Sequence, residues 1–221
     1  MNQLQFETAR KMMVDCQIRP SKVTNQKVLD AFSLVPREAF VGKHQRAIAY
    51  VDEDIPLPGG RNLMEPMVFA RLVQALKVQV GDSVLVVGAA SGYGSAIMSY
   101  LAGSVIAVET RTQLVEKAQD ILVAHGIDNV AVIKSRLVDG YAEEAPYDRI
   151  LVEGSVEIMP ATLLEQLTTK GKLAAIYRPH AAPIGTACIW TRSGKSFVRK
   201  SLFDACVPNL DDFNKKPEFI F

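Results

Sequence analysis

The strongest constraint on the fold of this chain is an apolar run that ends in a glycine-rich turn. Residues 84–87 read Val-Leu-Val-Val, and Gly88, Gly92 and Gly94 follow directly. Such a run is typical of a buried parallel strand, and a helical pattern begins just after the turn. Glycines let a backbone approach a ligand where a Cβ would collide. The segment therefore predicts a strand that delivers a nucleotide-like ligand to a helix N-terminus.

A second apolar run, residues 105–109, ends in the carboxylate of Glu109. Glu109 lies 21 residues after Gly88, which is close to the spacing of about 20 residues at which an acid meets a ribose hydroxyl pair. Either signal alone is weak. Together they favour an adenosine-containing cofactor, bound in an open crevice above Gly88 that Glu109 faces.

The glycine spacing G-x-x-x-G-x-G also occurs in short-chain NAD(P)-dependent dehydrogenases. Those enzymes use a Tyr-x-x-x-Lys pair, and none of the six tyrosines has a lysine four residues later. This disfavours a dehydrogenase, and the absence of a Gly-Lys-Ser/Thr sequence after the turn excludes a P-loop. Two interpretations stay open: a site for S-adenosylmethionine (SAM), or a turn that only packs a strand against a helix.

From residue 83 onward the pattern alternates between strands and helices. Strands are predicted at 83–87, 104–109, 129–134, 148–153 and 172–177, and helices at 92–102, 112–125 and 160–169. Short connections between such elements imply a parallel sheet that is covered on both faces. Two further apolar segments, 186–191 and 196–206, flank a Gly-containing turn. We therefore expect the sheet to end in an antiparallel pair.

The first part of the chain follows a different pattern. Residues 1–65 are predicted to form a helical cap with a substrate-side loop, and residues 66–221 the α/β domain. Thr24 is the predicted N-cap of a helix that ends before Pro36. Residues 52–62 are rich in Pro, Gly and Asp and predict an irregular loop. Asp211, Asp212 and the lysines at 215–216 are predicted to form a solvated tail.

Charge and composition limit the partners of this chain. There are 25 Lys and Arg residues against 24 Asp and Glu residues, a balance that gives no general attraction to nucleic acid or to anionic membranes. The three cysteines are scattered, which indicates reduced thiols in a cytoplasmic protein and neither a disulfide framework nor a metal site. We expect no signal peptide and no membrane span.

Several longer segments resemble protein-L-isoaspartate O-methyltransferases. They read Val-Leu-Asp-Ala-Phe at 28–32, Val-Pro-Arg-Glu-Ala-Phe-Val at 35–41, Ala-Tyr-Val-Asp at 49–52 and Ala-Pro-Tyr-Asp at 145–148. The resemblance implies the class I SAM-dependent methyltransferase fold, a doubly wound and mainly parallel α/β sheet. It further implies methyl esterification of L-isoaspartyl residues in damaged proteins, with SAM as cofactor and isoaspartyl-containing proteins or peptides as partners.

The resemblance and the expected sheet edge together define candidate site residues. The predicted cofactor contacts are Gly88, Ala89, Ser91, Gly92, Tyr93, Glu109, Arg136 and Leu137. The substrate-side candidates are Arg61, Asn62, Met64 and Glu153, of which Glu153 is chosen because ligands gather at the carboxyl ends of parallel strands. No catalytic residue is predicted, because the nucleophile is a carboxylate of the substrate that is already ionised at pH 7.

The chain departs from the family pattern at four positions. Met64 replaces a substrate-side serine, Val86 an acid of the first parallel strand, Ala90 the middle glycine of the turn, and Arg136 the acid that would meet the adenine amine. These changes predict weakened SAM binding. Two alternatives therefore stay open: a methyltransferase fold that has lost its activity and acts as a binding module, and a SAM-dependent methyltransferase for another acidic substrate.

Overall fold

A single mixed sheet organises the chain. The structure, a computed structural model, describes residues 1–215. The sheet has seven strands, which lie side by side in the order 130–134, 104–109, 83–87, 147–156, 167–177, 185–193 and 196–205. Neighbouring strands among the first five are parallel, and the last two strands pair antiparallel. This confirms the predicted doubly wound, mainly parallel α/β sheet with a C-terminal antiparallel pair.

The elements have the following bounds. The helices are α1 Gln3–Met13, α2 Gln26–Leu34, α3 Pro66–Leu76, α4 Tyr93–Ser99, α5 Thr112–Ala124 and α6 Ala161–Glu165. The strands are β1 Ile55–Leu57, β2 Arg61–Leu63, β3 Ser83–Val87, β4 Ser104–Glu109, β5 Val130–Lys134, β6 Tyr147–Val156, β7 Leu167–Tyr177, β8 Gly185–Ser193 and β9 Ser196–Ala205.

Two hydrophobic cores lie on opposite faces of the sheet. Val84 and Val86 of β3 face a core that α1 to α5 cover, whereas Leu85 and Val87 face a smaller core that includes α6 and the C-terminal segment. Alternate residues of a strand point to opposite faces, so a strand that is covered on both faces reads as a continuous apolar run. This is why residues 84–87 identified the centre of the sheet.

The N-terminal region shares the larger core. Phe32 of α2 packs against Phe69 of α3, with ring centroids 5.6 Å apart, and Phe40 packs edge-on against Tyr93 at 5.5 Å. Aromatic pairs at these separations stabilise a core beyond the area that they bury. Residues of the N-terminal region are therefore held firmly over the start of α4.

Residues 52–62, predicted to form an irregular loop, contain the β1–β2 hairpin. Ile55–Leu57 pairs antiparallel with Arg61–Leu63. Gly59 and Gly60 both have positive φ angles, +74° and +71°, a backbone conformation that glycine adopts without steric cost. The prediction counted Gly and Pro as loop signals but missed that two glycines can close a hairpin.

Two further predictions of local structure are wrong. The helix expected at 160–169 ends at Glu165, and β7 begins at Leu167. Leu167 is buried opposite Tyr147, and the β-branched Thr168 and Thr169 favour a strand. The N-cap of α2 is Asn25 instead of Thr24, because the Asn25 side chain accepts from the backbone N–H of Val28.

Other expectations concern what the chain lacks. Cys16 and Cys206 are exposed, Cys188 is buried, and all three are free thiols. Within residues 1–215, no helix combines the length and the apolar character that a bilayer crossing needs. The same part of the chain contains no cluster of three or more His, Cys, Asp or Glu side chains that could hold a metal ion.

The cap of α2 gives a direct test of the fold. We expect Asn25→Ala to lower the free energy of unfolding by about 1 kcal/mol, because a backbone donor of the first turn loses its acceptor. Thr24→Ala is the matched control and should change it by less than about 0.5 kcal/mol. Urea denaturation of both variants decides between the two residues, and equal losses would contradict the assignment.

Candidate functional site

The candidate site lies where the winding of the sheet reverses. β3 pairs on one side with β4 and on the other with β6, so the chain runs outward from β3 in both directions. In such sheets ligands bind in the crevice outside the carboxyl ends of these central strands. Gly88 follows β3 at this point, Glu109 ends β4, and Glu153 and Gly154 lie in β6.

The glycine-rich turn has the backbone geometry that the sequence predicted. Gly88 and Gly92 have φ angles of +80° and +93°, and Ala90, which stands where the family has glycine, is also left-handed at +49°. The N–H groups of Gly88 and Ala89 donate to the carbonyl of Val108, which ties the turn to β4. Ala90 therefore holds the glycine-like conformation despite its Cβ.

Glu109 faces this turn but is fully engaged by the protein. It is completely buried, and its two carboxylate oxygens accept from Nε and Nη2 of Arg61, both at 3.0 Å. The backbone N–H groups of Ala90, Thr110 and Arg111 donate to the same carboxylate. Burial alone raises the pKa of Glu109, but the hydrogen bonds and charge of Arg61 outweigh it and lower the pKa, so the carboxylate is ionised.

Arg61 lies in a different place from the one expected. It was predicted to contact the substrate, yet its side chain is only 3% exposed and forms a bidentate pair with Glu109. A second carboxylate, that of Asp212, lies 3.3 Å from the same guanidinium. Arg61 thus binds Glu109, the acid that was predicted from the sequence to bind a ribose.

Leu210 fills the space above the glycine turn. A Cβ on Gly88 would lie 3.3 Å from the Leu210 side chain, and one on Gly154 would lie 2.5 Å from it. Leu210 itself is only 3% exposed. The expected open crevice above Gly88 is therefore wrong for this conformation, because an apolar side chain of the same chain packs there.

A solvated tail was predicted for Asp211, Asp212 and the lysines at 215–216. Asp211, Asp212 and Lys215 are exposed, but the segment is also docked: Asp211–Phe213 form a short 3-10 turn, Phe213 is buried, and Asp212 accepts from Arg61. Lys216, part of the same prediction, lies outside the described residues. The acids make this segment polar, but the apolar Leu210 and Phe213 on either side of them determine how it packs.

Two predicted cofactor contacts that follow β5, Arg136 and Leu137, differ in their exposure to solvent. Leu137 is buried beside Leu210, whereas the side chain of Arg136 is 76% exposed and pairs with Asp139 at 3.4 Å. Arg136, together with Thr110, Lys134 and Ser135, lines a surface depression of about 280 Å³. Its charge therefore lies at the outer edge of the crevice and away from Glu109.

A buried arginine that the sequence analysis did not select organises the substrate side. Arg37 has no exposed surface and donates to the carbonyls of Ala49 and Met64 at 2.7 and 2.5 Å. Its guanidinium also lies 5.0 Å from the centre of the Tyr93 ring. The signal was present in the Val-Pro-Arg segment, which served only as a family marker. Met64 is buried, and Asn62, two residues before it, is half-buried.

Glu153 lies at an irregularity of β6, where the five residues Leu151 to Ser155 lie opposite the three residues Ala174 to Ile176 of β7. Its carboxyl packs against Gly94, and one of its oxygens has no hydrogen-bond partner among the described residues. Burial, followed by the nearby charge of Glu109, raises the pKa of Glu153 well above its ordinary value. Burial therefore favours the protonated form of this carboxyl, the form that can donate a hydrogen bond.

Other buried polar groups around the start of α4 also lack a hydrogen-bond partner. Within the described part of the chain, the buried side-chain atoms without a hydrogen-bond partner include Ser91 Oγ and Ser95 Oγ. Unpaired buried polar groups are costly. Their concentration beside Glu153 indicates a place where a polar ligand can bind.

These residues fit SAM in chemistry but not in space. Glu109 has the charge and position for a ribose, and the turn has the required left-handed glycines. However, Leu210 lies over Gly88, and the Glu109 oxygens are already paired with Arg61.

The Arg61–Glu109 pair can be tested through stability. Arg61→Met should lower the free energy of unfolding by about 3 to 5 kcal/mol at pH 7, because it leaves a buried carboxylate without its partner. Without Arg61, burial dominates and the Glu109 pKa rises. As the pH falls toward 4, the folded variant therefore takes up a proton at Glu109 before the folded wild type does. The difference in the free energy of unfolding between the two proteins should then shrink.

Urea denaturation at pH 7 and at pH 4.5 measures this effect. The matched control is Arg136→Met, which removes an exposed ion pair worth at most about 1 kcal/mol. Equal losses for the two variants, or a loss for Arg61→Met that does not change with pH, would show that the buried pair does not form.

Comparison with known proteins relates this site to a family. The sequence model of the protein-L-isoaspartate(D-aspartate) O-methyltransferases matches residues 8–181. The protein-L-isoaspartate O-methyltransferase of Roseiflexus castenholzii is 36% identical over 170 residues, which cover 77% of this chain and 78% of that one. That of Koribacter versatilis is 31% identical over 201 residues, or 91% and 89% of the two chains.

Solved structures share the fold. A protein-L-isoaspartate O-methyltransferase superimposes with a TM-score of 0.81 at 22% identity and covers 91% of this chain, which spans 65% of that protein. A beta-aspartate methyltransferase from Plasmodium falciparum, solved in complex with S-adenosyl-L-homocysteine, gives 0.76 at 19% identity and covers 94% and 98%. The length and identity of the sequence matches establish that this chain belongs to the protein-L-isoaspartate O-methyltransferase family.

Proposed function

We propose that this protein transfers a methyl group from SAM to the carboxylate of L-isoaspartyl residues in damaged proteins or peptides. The observation that carries the proposal is Glu109: at the end of β4 the chain keeps a buried, ionised carboxylate beside the left-handed glycine turn. Family membership over residues 8–181 supports the same reaction.

The chemistry asks little of the protein beyond positioning. SAM, when bound, supplies an activated methyl group, and the acceptor carboxylate is ionised at neutral pH. The protein therefore needs no general base; it must align the acceptor and exclude water. Burial raises the pKa of Glu153 and favours its protonated form, which can donate to an acceptor oxygen. The Arg37 guanidinium donates to the carbonyl of Met64 and fixes the backbone there.

We assign the two parts of the chain different roles in this reaction. Residues 1–65 form the substrate-side cap, with Asn62 and Met64 as candidate substrate contacts. Residues 66–221 hold the cofactor, through Gly88, Ala89, Ser91, Gly92, Tyr93 and Leu137 as well as Glu109. Arg136, at the rim, is the weakest of the proposed contacts because its side chain is exposed. We also propose a cytoplasmic location, which the three free cysteines support.

A matched pair of peptides tests the proposal. The protein and labelled SAM are incubated with an isoaspartyl peptide and with the aspartyl peptide of the same sequence. We expect at least about tenfold more label in the isoaspartyl peptide, as a difference of 1.4 kcal/mol in transition-state binding would give. The label should be released by mild base, as from a methyl ester.

Met64→Ser is the companion variant, because it restores the hydroxyl that the family places there. It should raise the rate of a reaction that the wild type already catalyses. Equal labelling of the two peptides would contradict isoaspartyl specificity. Activity that appears only in Met64→Ser would show that the natural protein does not use this substrate.

A further inference from the structure

We propose that residues 207–213, named here the C-terminal strap, form an autoinhibitory segment that competes with SAM for the crevice at the centre of the sheet. The inference rests on the proposed function for the identity of the ligand. It concerns a different property, namely which part of this chain must move before that ligand binds.

The strap is bonded to β6 through one isolated parallel bridge between Ser155 and Asn209. Ser155 donates its backbone N–H to the carbonyl of Pro208 at 3.0 Å and accepts from the N–H of Leu210 at 2.9 Å. The Ser155 hydroxyl lies 2.8 Å from the carbonyl of Val207 and 2.6 Å from Oδ1 of Asn209. These contacts give the strap a defined register, so the position of Leu210 is specific.

That register places Leu210 at the switch point of the sheet. Its side chain contacts the positions of Gly88 after β3 and Gly154 in β6, and it also lies beside Leu137 after β5. A ligand bound across the carboxyl ends of these strands would need the same volume. Gly154 has a φ of +158° and would place a Cβ 2.5 Å from the Leu210 side chain, so the strand lacks a side chain where the strap lies.

A second contact links the strap to the ribose acid. Asp212 of the strap and Glu109 of β4 both bind Arg61, on the β1–β2 hairpin. The guanidinium therefore neutralises Glu109 and holds the strap over it at once. When the strap leaves, Arg61 loses one of its two carboxylates, and the contact that links the hairpin to the strap is broken.

The strap is also anchored away from the crevice. Arg178, after β7, donates to the Asn209 side chain at 2.9 Å, and the N–H of Ile158 donates to the carbonyl of Phe213 at 3.2 Å. Because the strap is anchored on both sides of Leu210, we expect it to have two states, one bound in the crevice and one released. The apparent affinity for SAM then equals the intrinsic affinity multiplied by the released fraction.

Calorimetric titration with S-adenosylhomocysteine tests this competition without any need for catalysis. Leu210→Ala shortens the side chain above Gly88 and weakens the strap, so we expect binding at least tenfold tighter than in wild type. Leu164→Ala is the matched control: it removes the same group from the same core but on α6, outside the crevice. It should leave the affinity unchanged.

Hydrogen exchange on the unaltered protein gives a second, independent readout. The amide of Leu210 is protected by its bond to Ser155, and saturating S-adenosylhomocysteine should increase its exchange at least tenfold. A tighter Leu210→Ala variant together with this exposure supports the strap. Equal affinity in wild type and Leu210→Ala, no binding to either, or ligand binding with Leu210 still protected would each overturn it.

These outcomes are separate from those of the peptide assay. If Leu210→Ala binds S-adenosylhomocysteine more tightly than wild type but neither protein labels the isoaspartyl peptide, the strap proposal stands and the proposed substrate is wrong. A protein that labels the peptide at equal rates in both forms, with equal affinity, would retain the substrate and reject the strap.

Discussion

A buried ion pair between Arg61 and Glu109 determines how the crevice of this protein is arranged. Both side chains are almost fully removed from water, and the carboxylate is further bound by three backbone N–H groups. A pair of this kind is stable only while both partners stay in place. The β1–β2 hairpin, the end of β4 and, through Asp212, the C-terminal strap are thereby fixed relative to one another.

The same arrangement reconciles the family of the protein with the closed crevice. Methyl transfer to a carboxylate depends on a dry, well-aligned site and on no acid–base group. Here Leu210 and Arg61 supply an apolar cover and a counter-charge before any ligand is bound. When the cofactor replaces these groups, ribose hydroxyls can take over the hydrogen bonds that the guanidinium donates to Glu109, but not its positive charge.

The sheet was predictable from sequence because burial on both faces produces a continuous apolar run, as at residues 84–87. The glycine turn and the acid at 109 were predictable because their roles depend on local backbone geometry and strand position. The ion pairs were not, since Arg61 lies 48 residues from Glu109 and 151 residues from Asp212, and no local pattern records such pairings. The docking of Leu210 was missed for the same reason: acidic neighbours made the segment look solvated.

If the strap and the cofactor compete for one volume, a crystal structure at saturating S-adenosylhomocysteine will reveal it. We expect the ligand above Gly88, its ribose on Glu109, and Leu210 displaced from both Gly88 and Gly154. A structure in which the ligand is bound while Leu210 still packs against those glycines, and Arg61 still holds Glu109, would contradict it.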